Sequence, residues 1–178
     1  MIWSNFLKLP RILQMSKTEI EKIISQIVIE NDITTAIDIG SARGYWVDYL
    51  RRINVKADGI DICADFIDNK RVYYGDILSQ RVCELQQQRD FTMTDGLLEH
   101  FTQNDIYNIL HNQQQLTKKV AMNIVPKDCV MNVILEKVQR VPKEYRRATM
   151  EWFDMHKEFY NDVDIKELQR VLVIICKK

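Results

Sequence analysis

Two rhythms alternate along this chain. Short apolar runs, of buried-strand length, are followed by stretches whose apolar residues recur every three or four positions, the period of a helix packed on one face. Ile20, Ile23, Ile24, Ile27 and Val28 share such a face behind Ser16-Lys17-Thr18-Glu19, which has the form of a capping box; this predicts a helix over about 16–31. A strand at 35–39 comes next, then a helix from Tyr45 to about Ile53. Further strands are predicted at 55–60 and 72–74, with only residues 62–71 between them, too few for a full crossover helix. A single helical turn around Asp65-Phe66-Ile67 is what fits there. After Asp76 a helix turns Leu78, Val82 and Leu85 inward and ends at Gln86-Gln87-Gln88. A strand at 91–94 leads into Asp95, and Thr102-Gln103-Asn104-Asp105 opens a helix with Ile106, Ile109 and Leu110 on one face. A fifth strand at 120–125 stops at Pro126, and a last one covers 170–175, with a candidate partner at 158–163. Strand and helix in alternation predict one α/β domain, a mostly parallel sheet of at most seven strands with helices on both faces.

The strand ends carry the chemistry. Ala36-Ile37-Asp38-Ile39-Gly40-Ser41-Ala42-Arg43-Gly44 reads as strand, tight turn and helix start. Glycine there lets the backbone approach a ligand, and the following helix offers unpaired N–H groups. An ordinary strand-to-helix turn needs glycine too, so the spacing that follows matters. Asp61 lies 21 residues beyond Gly40, at the end of the next strand, where an acid is placed to accept from a ribose diol. The third strand ends in Gly75-Asp76 and the fourth in Asp95. Ligands of open α/β sheets sit outside the carboxyl ends of the strands, so four such ends suit a nucleoside site.

Asp38-Ile39-Gly40-Ser41-Ala42-Arg43-Gly44, Gly59-Ile60-Asp61, Gly75-Asp76-Ile77 and Asp95-Gly96-Leu97-Leu98-Glu99-His100-Phe101 together resemble the class I S-adenosylmethionine-dependent methyltransferases. The Leu98-Glu99-His100-Phe101 ending is similar to the small-molecule branch, and the motifs cover roughly residues 34–125. Ala42 stands where that family usually has glycine. The resemblance implies a Rossmann-like fold with a seven-stranded, mostly parallel sheet whose last strand is antiparallel. It implies S-adenosylmethionine as cofactor. Asp38 and the backbone of Gly40, Ser41, Ala42 and Gly44 would hold the methionine end; Tyr45 is read either as a neighbour of that end or as a packing residue. Asp61 would take the ribose hydroxyls and Ile62 would lie against the adenine. Asp76 would accept from the adenine amine, with Ile77 flanking the ring, and Asp95 would lie near the amino group or the methyl.

Composition narrows the partners. Lys plus Arg equals Asp plus Glu at 25 each, so no global basic excess points to nucleic acid. Between residues 118 and 147 eight Lys or Arg face three Asp or Glu. That local excess is read first as a solvated helix face, and second as a contact for an anionic substrate or an RNA backbone. Trp152 and Phe153 beside it either stack on something or pack in the core. The four cysteines and three histidines are scattered without ligand spacing. They suggest free thiols in a reducing, cytoplasmic setting and no metal site. No run is long enough to span a membrane. Residues 1–15 form an apolar segment, broken by Lys8, Pro10 and Arg11, that packs on the domain or on a partner or second copy; residues 16–178 form the single domain.

Methyl transfer from a sulfonium needs alignment more than a catalytic group. If a base takes part, His100 is the candidate, because it follows the fourth strand and titrates near neutral pH. Capping or packing at the next helix is the plainer role for His100. Glu99 is read as a cofactor or structural contact, and Tyr107 as a border of the substrate or a packing residue. A dehydrogenase fingerprint would need glycine at 40, 42 and 45; Ala42 and Tyr45 break it. The resemblance thus implies an S-adenosylmethionine-dependent methyltransferase with a small-molecule acceptor. The alternatives are a methyltransferase-like binding domain without turnover and an RNA methyltransferase.

Overall fold

The computed structural model describes residues 12–79, 87–127 and 147–178. Among them are four α-helices: α1 (Ile12–Glu30), α2 (Tyr45–Arg52), α3 (Gln103–Leu116) and α4 (Thr149–Lys157). The strands are β1 (Thr35–Ile39), β2 (Lys56–Asp61), β3 (Val72–Tyr74), β4 (Arg89–Asp95), β5 (Thr117–Pro126), β6 (Asp162–Glu167) and β7 (Val171–Lys177). They form one seven-stranded sheet in the order β3-β2-β1-β4-β5-β7-β6. Pairing is parallel from β3 to β5, and β7 runs antiparallel to both of its neighbours. The strand order reverses between β1 and β4, the point at which open α/β sheets leave a crevice at their carboxyl edge.

Both faces of the sheet are covered, and the pleat decides which side chain meets which layer. Ala36, Ala57, Phe91 and Met93 pack with α1 and α2 against Ile20, Ile24, Trp46 and Leu50. Ile37, Ile39 and Ile60 point the other way, into a core with Ile106, Leu110, Trp152 and Met155 of α3 and α4. Side chains two positions apart share a face, so Asp38, Asp61 and Asp95 continue the rows of Ala36, Ala57 and Met93. Three acids therefore emerge at the carboxyl edge on the α1/α2 side. At the opposite end Asp90 Oδ2 accepts from Thr34 N, Thr34 Oγ1 and Thr35 N at 2.7–3.0 Å, tying β4 to the start of β1.

Several boundaries differ from the sequence expectation. α1 already runs through Ser16, so Ser16-Lys17-Thr18-Glu19 is helix interior and not a start. Thr102 does cap α3, its hydroxyl accepting from Asp105 N at 3.3 Å. β5 begins at Thr117, straight from α3; exposed Lys118 and Lys119 hid its first residues from a search for apolar runs. Residues 158–160 close α4, with Phe159 N and Tyr160 N donating to His156 O, and the edge strand is β6 instead. The expected single turn between β2 and β3 is a 3-10 turn at Ala64–Phe66. Leu78 is exposed, not inward, and Ile77 to Ser79 form a turn. Val82, Leu85, Cys83, Cys129, the first eleven residues of the apolar segment and residues 128–146 of the basic stretch lie outside the described residues. Among the described residues no helix is long and apolar enough to cross a membrane.

Candidate functional site

The turn between β1 and α2 alternates handedness. Gly40 (φ 72°), Ala42 (φ 46°) and Gly44 (φ 73°) are left-handed. Gly40 N and Ser41 N both donate to Ile60 O, at 2.8 and 3.1 Å, which folds the turn over the end of β2. A Cβ on Gly40 would meet Leu97 Cδ1 at 2.8 Å, and one on Gly59 would collide with Ser41 Oγ. Ala42 holds a conformation suited to glycine, at a cost of about 1 kcal/mol. Its N–H is held by Asp61, whose Oδ2 accepts from Ala42 N at 2.9 Å while Oδ1 accepts from Cys63 N at 2.8 Å. Asp61 thus ties together the loops after β1 and β2. The sequence spacing had offered it only as a ribose contact.

Asp38 is the most unusual group. It is 1% exposed, and neither carboxyl oxygen has a partner. Burial, then the negative fields of Asp95 and Asp61, push its pKa well above the ordinary carboxyl range. Ser41 Oγ and Glu99 Oε2 are also buried without partners. Burial, with Asp95 adding to it, raises the Glu99 carboxyl to about 8. Asp95 opens to solvent along the cleft, yet it lies among enough protein for desolvation to raise it. Trp46 Nε1, donating to its Oδ2 at 2.7 Å, and the Lys17 ammonium oppose that rise.

Helix α1 borders this edge. Lys17 Nζ lies 3.3 Å from the Tyr45 ring centroid, and Tyr45 OH donates to Glu21 Oε1 at 2.7 Å. Burial, then that bond to Glu21, raises the Tyr45 hydroxyl to about 12. Tyr49 OH donates to Glu21 O at 2.8 Å. Sequence reasoning missed Lys17 and Trp46. Trp46 sits among the core residues of α2, and only its indole N–H, two positions after Gly44, marks it as a partner for an acid at the strand edge.

The structure brings Asp38, Gly40, Ser41, Ala42, Gly44, Tyr45, Asp61 and Asp95 to one edge on one face. Ile62, next to Asp61, is 61% exposed and offers an apolar surface beside it. Asp76 Oδ1 accepts from Leu78 N at 3.0 Å, and Ile77 is buried in the α3 core with its carbonyl accepting from Asn112. His100 ends the 3-10 turn Leu98–His100, half-buried, and burial lowers its pKa. Tyr107 OH donates to Glu158 Oε1 at 2.8 Å, binding α3 to the end of α4. Trp152 is buried core with the Arg147 guanidinium 5.2 Å from its ring centre, and Phe153 is half-buried. Cys63 and Cys176 are free thiols. No group of three metal-ligating side chains occurs among the described residues. Acids gathered beside a glycine turn at the carboxyl edge suit a ligand that brings positive charge and hydrogen-bond donors.

No protein-family profile matches the sequence. No curated protein matches it. Solved structures do match in shape. An S-adenosylmethionine-dependent methyltransferase from Archaeoglobus fulgidus superposes with a TM-score of 0.72 at 14% identity, over 89% of this chain and 94% of that one. An O-methyltransferase family protein from Burkholderia thailandensis gives 0.71 at 15% identity; 90% of this chain spans 55% of it. Magnesium protoporphyrin IX methyltransferase from Synechocystis, solved with bound S-adenosylhomocysteine, gives 0.68 at 10% identity over 92% of this chain and 83% of that one. With the strand order, the antiparallel β7 and helices on both faces, these likenesses establish that the chain has the fold of the class I S-adenosylmethionine-dependent methyltransferases.

Proposed function

We propose that this protein is an S-adenosylmethionine-dependent methyltransferase with a small-molecule acceptor, working in a reducing, cytoplasmic compartment. The observation that carries the reading is the pair of buried, unpartnered Asp38 oxygens, with Ser41 Oγ, beneath the Gly40–Gly44 turn. Buried polar atoms are nearly always hydrogen-bonded, so a carboxyl left open at the strand edge marks a ligand's place. The cofactor fits these residues. Asp38 and the backbone of Gly40, Ser41, Ala42 and Gly44 hold the methionine end, with Tyr45 beside it. Asp61 accepts from the ribose hydroxyls through the lone pairs its loop contacts leave free. Ile62 lies on the adenine, Asp76 accepts from its exocyclic amine, and Ile77 backs that wall. Asp95, steadied by Trp46, receives the amino group.

When bound, the cofactor supplies an electrophilic methyl group on a sulfonium. The chain's own work is to orient that methyl and to exclude water. If the acceptor needs a base, His100 would take its proton; the lowered pKa that burial gives this imidazole supports that role. The small-molecule acceptor is supported by the Leu98–Phe101 ending, by the balanced charge and by two structural neighbours named for small molecules, magnesium protoporphyrin IX and mitomycin. The test is a panel of small acceptors and transfer RNA, scored by release of S-adenosylhomocysteine. Turnover of a small molecule supports the proposal. Preferred turnover of transfer RNA overturns the acceptor, and cofactor binding without any turnover favours a binding domain.

A further inference from the structure

Acids from several elements face the crevice, and they are finished unequally. Asp61 of β2 has both oxygens engaged by backbone N–H groups, and Asp95 of β4 has Trp46. Asp38 of β1 has no partner for either oxygen, and Glu99 of the 3-10 turn has none for its buried Oε2. A hydrogen bond from its own backbone favours the charged form of Glu99, and burial outweighs it. The other ionisable groups around the cleft do not neutralise them. Lys17 of α1 pairs through space with Asp95 and Glu21. Tyr45 of α2 keeps its proton to about 12, and burial keeps His100 uncharged near neutral pH.

We infer that Asp38 and Glu99 set the site's preference for the sulfonium cofactor over its demethylated thioether product, by giving up a proton in exchange for the cofactor's positive charge. The inference rests on the cofactor proposed above. An unpaired carboxylate at this depth is costly, so in the ligand-free protein these carboxyls hold protons. The elevated titration of both groups agrees with that geometry. A cation arriving within about 4–6 Å favours the ionised form. S-adenosylmethionine brings a sulfonium and an ammonium, whereas S-adenosylhomocysteine brings the ammonium alone. The proton leaves to solvent, no bond to carbon changes, and the difference between the two ligands isolates the charge on sulfur.

The experiment is titration calorimetry of the full chain with each compound, in two buffers of different ionisation enthalpy, from about pH 6 to about pH 8. S-adenosylmethionine is expected to release about one proton more than S-adenosylhomocysteine, and its affinity to rise by up to about tenfold per pH unit relative to the product. Glu99→Gln should retain binding and lose most of that difference, with folding checked by circular dichroism. Equal proton release for the two compounds, or an affinity ratio that does not change with pH, overturns the inference while leaving the cofactor reading intact. Failure of both compounds to bind removes the cofactor reading, and this inference with it.

Discussion

Two groups of polar side chains are buried against this sheet, one residue apart along β4 and on opposite faces. On the α3/α4 side Thr94 Oγ1 donates to Asn123 Oδ1, and Gln113 Nε2 donates to the same oxygen. Asn123 Nδ2 reaches both Gln113 Oε1 and His156 Nε2 at 3.0 Å. His156 Nδ1 donates to the Trp152 carbonyl at 2.7 Å, which fixes Nε2 as the acceptor. Each of these side chains has a protein partner. On the α1/α2 side, beginning with the next residue, Asp38, Ser41 and Glu99 keep buried atoms with none. The four side chains of the first group satisfy one another without a ligand and serve the fold, although Trp152 Nε1 and Tyr160 OH on the same face are buried without a partner. The second is incomplete, and what it lacks is positive charge and hydrogen-bond donors, which is why it reads as a binding site.

The sharpest way to break the comparison is to truncate the centre of the satisfied cluster. Asn123→Ala strands groups on Thr94, Gln113 and His156 and should cost about 3–5 kcal/mol in urea unfolding. A loss under about 1 kcal/mol would show that the network contributes little to the fold. The pH dependence of stability separates the clusters by sign. Burial pushes fully buried His156 down to about 4, so the unfolded chain binds more protons below its ordinary value of about 6.5. Stability from His156 is therefore present above that value and is lost as pH falls toward 4, by about 3 kcal/mol in all. Glu99, raised to about 8, works oppositely: the folded chain holds the extra proton, and stability falls as pH rises from the ordinary carboxyl range toward 8. Glu99→Gln should flatten that upper limb and leave the His156 limb unchanged in chemical unfolding curves. Within the site, Asp61→Ala removes the contacts to Ala42 N and Cys63 N together with the ribose contact proposed for it, and should weaken S-adenosylmethionine binding by about 2–3 kcal/mol in calorimetry. The smallest effect is Ala42→Gly, which relieves the left-handed alanine and should raise stability by about 0.5–1 kcal/mol in thermal unfolding.

Much of this was legible in the sequence because it is periodic. The strands at 35–39 and 72–74, the cap at Thr102 and the acids at 38, 61, 76 and 95 follow from local pattern and spacing. What was not legible depends on groups far apart in the chain. That Trp46 holds Asp95 requires α2 to lie over β4, and that Asp61 anchors two loops requires the turn to fold over β2. His156 and Asn123 read as unremarkable single polar residues until the sheet and α4 meet. Lys118 and Lys119 fell outside the apolar run that predicted the fifth strand, although they follow Thr117 at the start of β5, where the Lys119 carbonyl accepts from Lys178 N at 3.0 Å.

The central claim is that the unpartnered Asp38 cleft is the cofactor's seat, and thermal unfolding of the wild type and Asp38→Asn with about 1 mM S-adenosylmethionine tests it most directly. If the dissociation constant is near 10 μM, the ligand should raise the wild-type midpoint by about 5–10 °C. Asp38→Asn should leave the ligand-free midpoint within a few degrees of wild type, yet lose most of the ligand-induced rise. No rise in the wild type, or an equal rise in both proteins, would contradict the account.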